Sequence, residues 1–241
     1  MKKEHVVTVI LLILIWWILA ILVGNNVLIP TPIEVLHSLI KILSNKSSYY
    51  AIYKTLVRVF QGYFLSLIIA LFISILADKF NTVKLLFEPI QILTKAIPNV
   101  SYIIVTLIWL GSEGSVWVIC MLVLFPVLYN NFIFTLENED SELKDIQKIY
   151  PETFIKTTRL RTMPLLYGTF LSSSKVALGL GLKICVMAEI LGQVKVGIGK
   201  HLYYARLYLD TSSLFAWTII IIILSVIIDS IFNILIKFKE E

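Results

Sequence analysis

The sequence is poor in charged residues. Of its 241 residues, 15% are charged and 58% are hydrophobic, whereas soluble domains carry roughly 25% charged residues. This composition excludes an ordinary water-soluble domain. In such a domain each helix is apolar on one face only, whereas these apolar runs would make a helix apolar on all sides. The net charge of +5 does not indicate nucleic-acid binding either, since the basic residues are dispersed over short loops. We therefore expect lipid to cover most of the surface.

Residue types that carry metal or covalent chemistry are also scarce. The only cysteines, Cys120 and Cys185, lie within apolar runs and predict neither a disulfide framework nor a metal cluster. The histidines His5, His37 and His201 are scattered along the chain, which does not fit a metal site. No glycine-rich loop carries the lysine and hydroxyl of a phosphate-binding site. We expect no catalytic residues, no bound metal and no cofactor in this chain.

Long apolar runs dominate the remainder of the sequence. Each approaches the roughly 20 residues that a helix needs to cross the hydrocarbon core. The sequence therefore predicts an all-α integral membrane protein with about six transmembrane helices. The third run contains Pro89 and Pro98, which should kink or break it. The expected spans are Val6–Val23, Leu56–Ala77, Leu85–Leu110, Val116–Leu136, Leu165–Leu191 and Leu214–Ile236.

The distribution of lysine and arginine predicts a multi-pass protein of the cytoplasmic membrane with both termini in the cytoplasm. An amphipathic helix should follow the Leu28–Pro32 turn, with Ile33, Leu36 and Ile40 at helical spacing. It could lie along the outer membrane surface or pack between spans. We expect one membrane domain over 1–241: 1–27 holds the first span, 28–54 the outer turn and helix, 55–136 spans two to four, 137–163 a cytoplasmic loop, and 164–241 spans five and six.

The cytoplasmic loop contains a short amphipathic helix in this prediction. Leu143, Ile146 and Ile149 or Tyr150 form an apolar stripe, and Pro151 ends the helix. Such a helix can lie on lipid or dock into a groove of another protein. Its polar face mixes acids with lysines, which favours docking. The residues expected at this contact are Glu142, Leu143, Asp145, Ile146, Ile149, Tyr150 and Pro151.

An ordered set of motifs resembles a known family. The segments are Leu28–Pro32, Thr55–Tyr63, Lys95–Pro98, Phe125–Leu128 and Ala188–Gly192, together with the polar loop. In this order they look like the inner-membrane permeases of binding-protein-dependent ABC importers, and they are most similar to the nitrate, sulfonate, taurine and bicarbonate branch. The resemblance covers nearly the whole chain, from about Leu28 to Ile236.

The resemblance implies a type I ABC importer permease fold and a set of partners. These are a second permease copy, two ATP-binding subunits that hold ATP and Mg, and an extracytoplasmic binding protein that delivers the solute. The loop at 137–163 would then be the coupling loop. One motif departs from the family: Asp145-Ile146-Gln147 stands at the usual Glu-Ala-Ala, and Pro151 stands at the Gly that follows it. The ATPase groove would then have a different shape from the usual one.

Polar groups at membrane depth are the candidates for a translocation path, because a charge there costs about 2.5–3.5 kcal/mol on insertion scales. Lys95 and Lys175 match positions where the resembled permeases carry Arg, and Glu189 matches a family Glu near the outer end of the fifth span. The alternatives are an internal ion pair, such as Lys183 with Glu189, and snorkelling of Lys95. The candidates are Lys95, Ser101, Tyr102, Lys175, Lys183 and Glu189.

Two functions from different classes fit a membrane protein of this kind. An ABC importer permease would hydrolyse no ATP itself and would carry a small solute, with small oxyanions such as sulfonate, taurine, nitrate or bicarbonate favoured by the branch. An ion-coupled secondary transporter is the alternative, but it typically has broken helices in both halves of an internal repeat. The sequence contains one proline-interrupted span and no convincing repeat, which favours the permease.

Overall fold

The computed structural model describes residues 3–139 and 152–240, and these residues form helices connected by short loops. A π-helix, Thr158–Thr162, joins the sixth and seventh α-helices. The α-helices are α1 (Lys3–Val23), α2 (Pro32–Leu43), α3 (Lys46–Lys79), α4 (Asn81–Ala96), α5 (Asn99–Glu137), α6 (Phe154–Thr157), α7 (Met163–Gly192), α8 (Ile198–Leu207) and α9 (Thr211–Glu240).

Every expected span falls on helix, apart from Ile97 and Pro98 in the third. In the part of the chain that the structure describes, three helices are long and apolar enough to cross a membrane: Lys46–Lys79, Asn99–Glu137 and Thr211–Lys237. A shorter apolar helix covers Val7–Val23. The all-α membrane fold predicted from the sequence is confirmed.

The third expected span is divided at Pro98, as predicted. Helix α4 ends at Ala96, and Ile97 is extended with φ −81° and ψ 125°, because a proline disfavours helical geometry in the residue before it. Pro89, in contrast, lies inside α4 without ending it. Further on, Gly111 takes φ 69° and ψ 175° and turns the chain within α5. The end of α5 returns to the start of α4, where Glu137 pairs with Lys84 at 2.5 Å.

The core lies between α3, α5 and α7. Their apolar side chains form one buried cluster around Val59, Cys120 and Leu182. Gly62 permits the closest approach: a Cβ there would lie 2.6 Å from the Cβ of Cys120. On α7, Ser173, Ala177 and Gly181 are buried, as expected for small residues where helices pack closely in membranes. Helix α1 lies at the periphery, with most of its apolar side chains exposed, whereas α9 packs one side against the bundle through residues such as Trp217, Ile220 and Ile228.

Two ends of this bundle can be defined from its contacts. At the first, the beginning of α3, the Gly111 turn and the end of α7 meet around Glu189. At the second, the end of α3, the end of α5 and the π-helix meet around Arg161. We call these the Glu189 end and the Arg161 end. Helices α3 and α7 are therefore antiparallel and in contact at both ends.

One boundary differs from the sequence prediction. The sequence analysis ended the cytoplasmic loop at 163 and began the fifth span at Leu165, but the basic stretch Phe154–Arg161 is helical and continues through the π-helix into α7. Pro164 lies just after the π-helix, and such a local π-helical adjustment allows a membrane helix to continue past a proline. The stretch is thus directly continuous with the span.

Candidate functional site

A buried carboxylate organises the Glu189 end. Glu189 is 0% exposed, and its Oε1 accepts a hydrogen bond from Arg58 Nη1 at 2.6 Å. The Thr55 hydroxyl donates to the same carboxylate at 3.0 Å, and the Gly199 N–H donates to Oε2 at 2.9 Å. The charge of Glu189 is thus balanced by a guanidinium and its lone pairs are satisfied, which a buried ion requires.

Arg58 extends the network to the surface and to the loop after α7. Its Nη2 pairs with Glu113 Oε2 at 2.6 Å, and Nη1 also donates to the Val196 carbonyl at 2.7 Å. Glu113 in turn accepts from the Lys195 N–H at 2.6 Å. We call the side chains Thr55, Arg58, Glu113 and Glu189 the Glu189 cluster. It joins α3, α5, α7 and the loop that leads into α8.

Two glycines allow the backbone to approach this carboxylate. A Cβ at Gly197 would lie 2.5 Å from Glu189 Oε2. A Cβ at Gly199 would overlap the Cβ of Glu189 and lie 2.8 Å from the Ile190 nitrogen. The loop into α8 can close over Glu189 only because these positions lack side chains.

We expect Gly199→Ala to destabilise the protein by about 1–3 kcal/mol, because the added methyl group meets α7 backbone that cannot move aside. Thermal unfolding in detergent measures the effect. Gly114→Ala is the matched control at the same end, since its Cβ would find its nearest neighbour at 3.9 Å. Equal stability of the two variants would contradict the packing described for Gly199.

Glu189 forms its ion pair with a different residue from the one considered in the sequence analysis. Lys183, suggested as that partner, is exposed, and within the described residues Glu189 pairs with Arg58 instead. Sequence reasoning missed Arg58 and Glu113 as members of this site. The available signal was the position of Arg58 inside the Thr55–Tyr63 motif, but its partners lie far away in the sequence and no helical spacing connects them.

Two further charged candidates, Lys175 and Lys183, lie on α7. Lys175 is half-buried and donates from Nζ to the Asn233 side chain at 2.9 Å, which links α7 to α9. Lys183 is exposed two turns further along the helix. Val176 and Leu191 are also exposed on α7, at 60% and 45%, so the helix presents an open face that carries Lys183.

A small cavity with both polar and apolar side chains in its lining lies beside the break at Pro98. Its volume is about 240 Å³, and it contacts Thr94, Asn99, Tyr102 and Asn130. The Tyr102 hydroxyl is buried without a hydrogen-bond partner in the described residues. Ser101 is exposed next to it, and Lys95 belongs to the last turn of α4, although its side chain is not described. Of the sequence candidates, the structure thus brings Tyr102 to a cavity and leaves Glu189 enclosed.

The residues predicted to contact an ATPase lie outside the described residues. This applies to Glu142, Leu143, Asp145, Ile146, Ile149, Tyr150 and Pro151. Both borders of that segment are described, and both reach the Arg161 end of the bundle. Glu139 and Arg161 form an ion pair there. The coupling contact itself stays a prediction.

Known proteins resemble this chain over most of its length. The aliphatic sulfonates transport permease SsuC of Bacillus subtilis is 22% identical over 93% of this chain and 82% of its own. The formylaminopyrimidine transport permease ThiX of Halalkalibacterium halodurans is 26% identical over 76% and 70%. An ABC transporter permease of Methanocaldococcus jannaschii is 25% identical over 91% and 84%. No family model matches the chain.

The fold is also found in a solved transporter. A chain of the MetNI methionine ABC transporter, in an inward-facing conformation, superposes with a TM-score of 0.67 at 15% identity, over 78% of this chain and 94% of that one. The fold is therefore that of an ABC importer permease. Together with the three relatives, this likeness confirms the resemblance and the transmembrane permease function predicted from the sequence, and the match to SsuC agrees with the sulfonate branch. The secondary transporter is not favoured.

Proposed function

We propose that the chain works as the membrane subunit of an ABC importer built from two copies of it and two ATP-binding subunits. ATP and Mg would bind on those partners, and an extracytoplasmic binding protein would deliver the solute. The observation that carries this proposal is the match to ABC transporter permeases over most of the chain, in sequence and in fold. An importer of this kind needs hydrolysis on separate subunits, because the chain has no phosphate-binding loop.

The proposed orientation places the Arg161 end and both termini in the cytoplasm of a multi-pass membrane protein. Basic residues are enriched at this end, which the positive-inside rule predicts for cytoplasmic segments. They include Lys79, Lys84, Lys156, Arg159 and Arg161. The coupling loop would then face the ATP-binding subunits, and the Glu189 cluster would face the binding protein.

The proposed path runs along the open face of α7 and past the break at Pro98. Lys183 supplies a positive charge on that face, and Tyr102 and Asn99 supply polar groups in the adjacent cavity. Interrupted helices at membrane depth are tolerated where they border protein or a polar cavity. Positive charge suits an anion, and SsuC is named for sulfonates. We therefore propose a small oxyanion as the solute.

Co-purification tests the proposal. The chain, tagged and extracted from its own cells in mild detergent, should bring with it an ATPase subunit and, in lipid, should hydrolyse ATP. Adding the cognate binding protein loaded with solute should raise that hydrolysis. Direct binding assays on the same receptor, with sulfonate, nitrate and bicarbonate compared, identify the solute.

Two results would contradict the proposal. If the chain purifies without an ATPase and still transports in lipid vesicles under an ion gradient alone, it is a secondary transporter. If an ATPase co-purifies but its receptor binds only neutral or cationic compounds, the permease function stands and the oxyanion assignment is wrong.

A further inference from the structure

Ionised side chains from three different elements meet at the Arg161 end. Arg161 Nε donates to both carboxylate oxygens of Glu139 at 2.8 Å, and its Nη1 donates to Asp78 Oδ2 at 3.0 Å. The Thr162 hydroxyl contacts the same Asp78 oxygen at 3.4 Å. We call Asp78, Glu139, Arg161 and Thr162 the Arg161 cluster. It joins the end of α3, the residues after α5 and the π-helix before α7.

The cluster is partly shielded from water. The side chain of Glu139 is 1% exposed, and those of Arg161 and Asp78 are 19% and 16% exposed. The hydrogen bonds that Arg161 donates to Glu139 raise the pKa of Arg161, so the guanidinium stays charged. Lys156 and Glu152 also pair nearby, but both are about half exposed, and such surface pairs contribute little. The Arg161 cluster is held more rigidly than this surface pair, because its guanidinium donates several directed hydrogen bonds to two carboxylates.

The position of the cluster in the chain gives it a mechanical role. Glu139 directly precedes the segment 140–151, and Arg161 follows it in the π-helix that continues into α7. The residue before the segment is thereby bonded to the π-helix that follows it, and Asp78 bonds Arg161 to α3. A second contact reinforces the joint, because Lys79 lies over the Phe154 ring at 4.4 Å. A π-helical turn is uncommon and often marks a functional position, and here it carries Arg161.

Helices α3 and α7 are joined again at the opposite end, where Arg58 of α3 bonds Glu189 of α7. A displacement imposed on segment 140–151 therefore reaches both helices at once. We infer that the Arg161 cluster is the joint that transmits movement of this segment through α3 and α7 to the Glu189 end. The inference rests on the proposed function, since an ATPase must supply the movement. Asp78, Glu139 and Arg161 are positioning residues in this mechanism.

Hydrogen exchange in the complex with the co-purified ATPase tests the joint. We expect ATP with vanadate to change exchange in residues 193–210 of the parent chain, which lie at the Glu189 end. Glu139→Gln keeps the shape of the side chain but removes its charge and one acceptor oxygen. This variant should retain the ATPase and its hydrolysis of ATP, yet lose the exchange response. Arg161→Lys keeps the positive charge but loses the planar guanidinium and its paired hydrogen bonds, so it should behave in the same way. It replaces Glu139→Gln in the experiment if that variant does not fold.

The matched control is Arg159→Gln, which removes an exposed guanidinium from the same π-helix and should leave the response intact. An unchanged response in Glu139→Gln or in Arg161→Lys would overturn the inference. Loss of the ATPase from these variants would also overturn it, because the cluster would then be needed for docking. A parent chain whose Glu189 end shows no exchange response to ATP with vanadate would overturn it as well. Purification of the parent without any ATPase would instead overturn the proposed function, and the inference with it.

Discussion

Arg58→Leu should lower the free energy of unfolding by about 3–5 kcal/mol, since removing one partner of a buried pair leaves the other charge uncompensated. The side chain of Arg58 is 9% exposed and that of Glu189 is 0% exposed, so water cannot replace the lost guanidinium. Thermal unfolding in detergent, followed by tryptophan fluorescence, measures the loss.

Two further variants separate this effect from a general loss of surface charge. Glu113→Gln breaks the outer bond of Arg58, but the Glu113 side chain is 47% exposed, so this change should cost less than about 1 kcal/mol. The double replacement of Arg58 by Met and Glu189 by Leu removes both charges and should be less destabilised than Arg58→Leu. If Arg58→Leu is as stable as Glu113→Gln, the pair is not buried in the membrane-embedded protein.

Leu143→Asp combined with Ile146→Asp should release the ATPase from the purified complex and abolish its stimulation by the loaded receptor. Both residues belong to the apolar stripe predicted to dock into the partner, and burying two new carboxylates in an apolar groove without partners is strongly unfavourable. The amount of ATPase retained during affinity purification, together with the unfolding temperature of the chain, measures the outcome.

Lys148→Asp is the control for this pair of substitutions. It introduces the same side chain on the polar face of the predicted helix, and we expect the ATPase to remain bound. The unfolding temperature of all variants should match that of the parent chain, because the sequence predicts this segment to be a cytoplasmic loop outside the membrane spans. An ATPase that stays bound and coupled to the double variant would show that another surface docks it.

The sequence predicts the helices of this protein better than it predicts the site. The spans could be located because each apolar run has a length fixed by the bilayer, and the break at Pro98 because proline acts on its direct neighbours. The π-helix and the continuity across Pro164 could not be anticipated, since they depend on the contacts of Phe154 and Arg161 with the end of α3. The long helix α5 was expected as parts of two spans, and the turn between them depends on a single glycine conformation at Gly111.

The candidate site shows the same limit. Glu189 could be selected because a carboxylate in an apolar run needs a partner, but the identity of that partner depends on the antiparallel contact between α3 and α7. The Arg161 cluster was not predicted at all, because Asp78 lies far from Glu139 and Arg161 in the sequence and no helical spacing connects the three residues. Their charges are ordinary for loops, and only the fold shields them partly from water.

The close contact at Gly62 limits how the helices can rearrange. With the α3 backbone seated against Cys120 and the Trp117 carbonyl of α5, sliding of one helix along the other would force side chains into the space that the glycine leaves empty. Shear consists of small sliding displacements between packed helices, and the contact at Gly62 leaves no room for such sliding. Opening of the solute path to one side of the membrane and then to the other should therefore involve rotation of α3 and α5 together as one rigid unit. The hinges should lie outside the contact between these two helices.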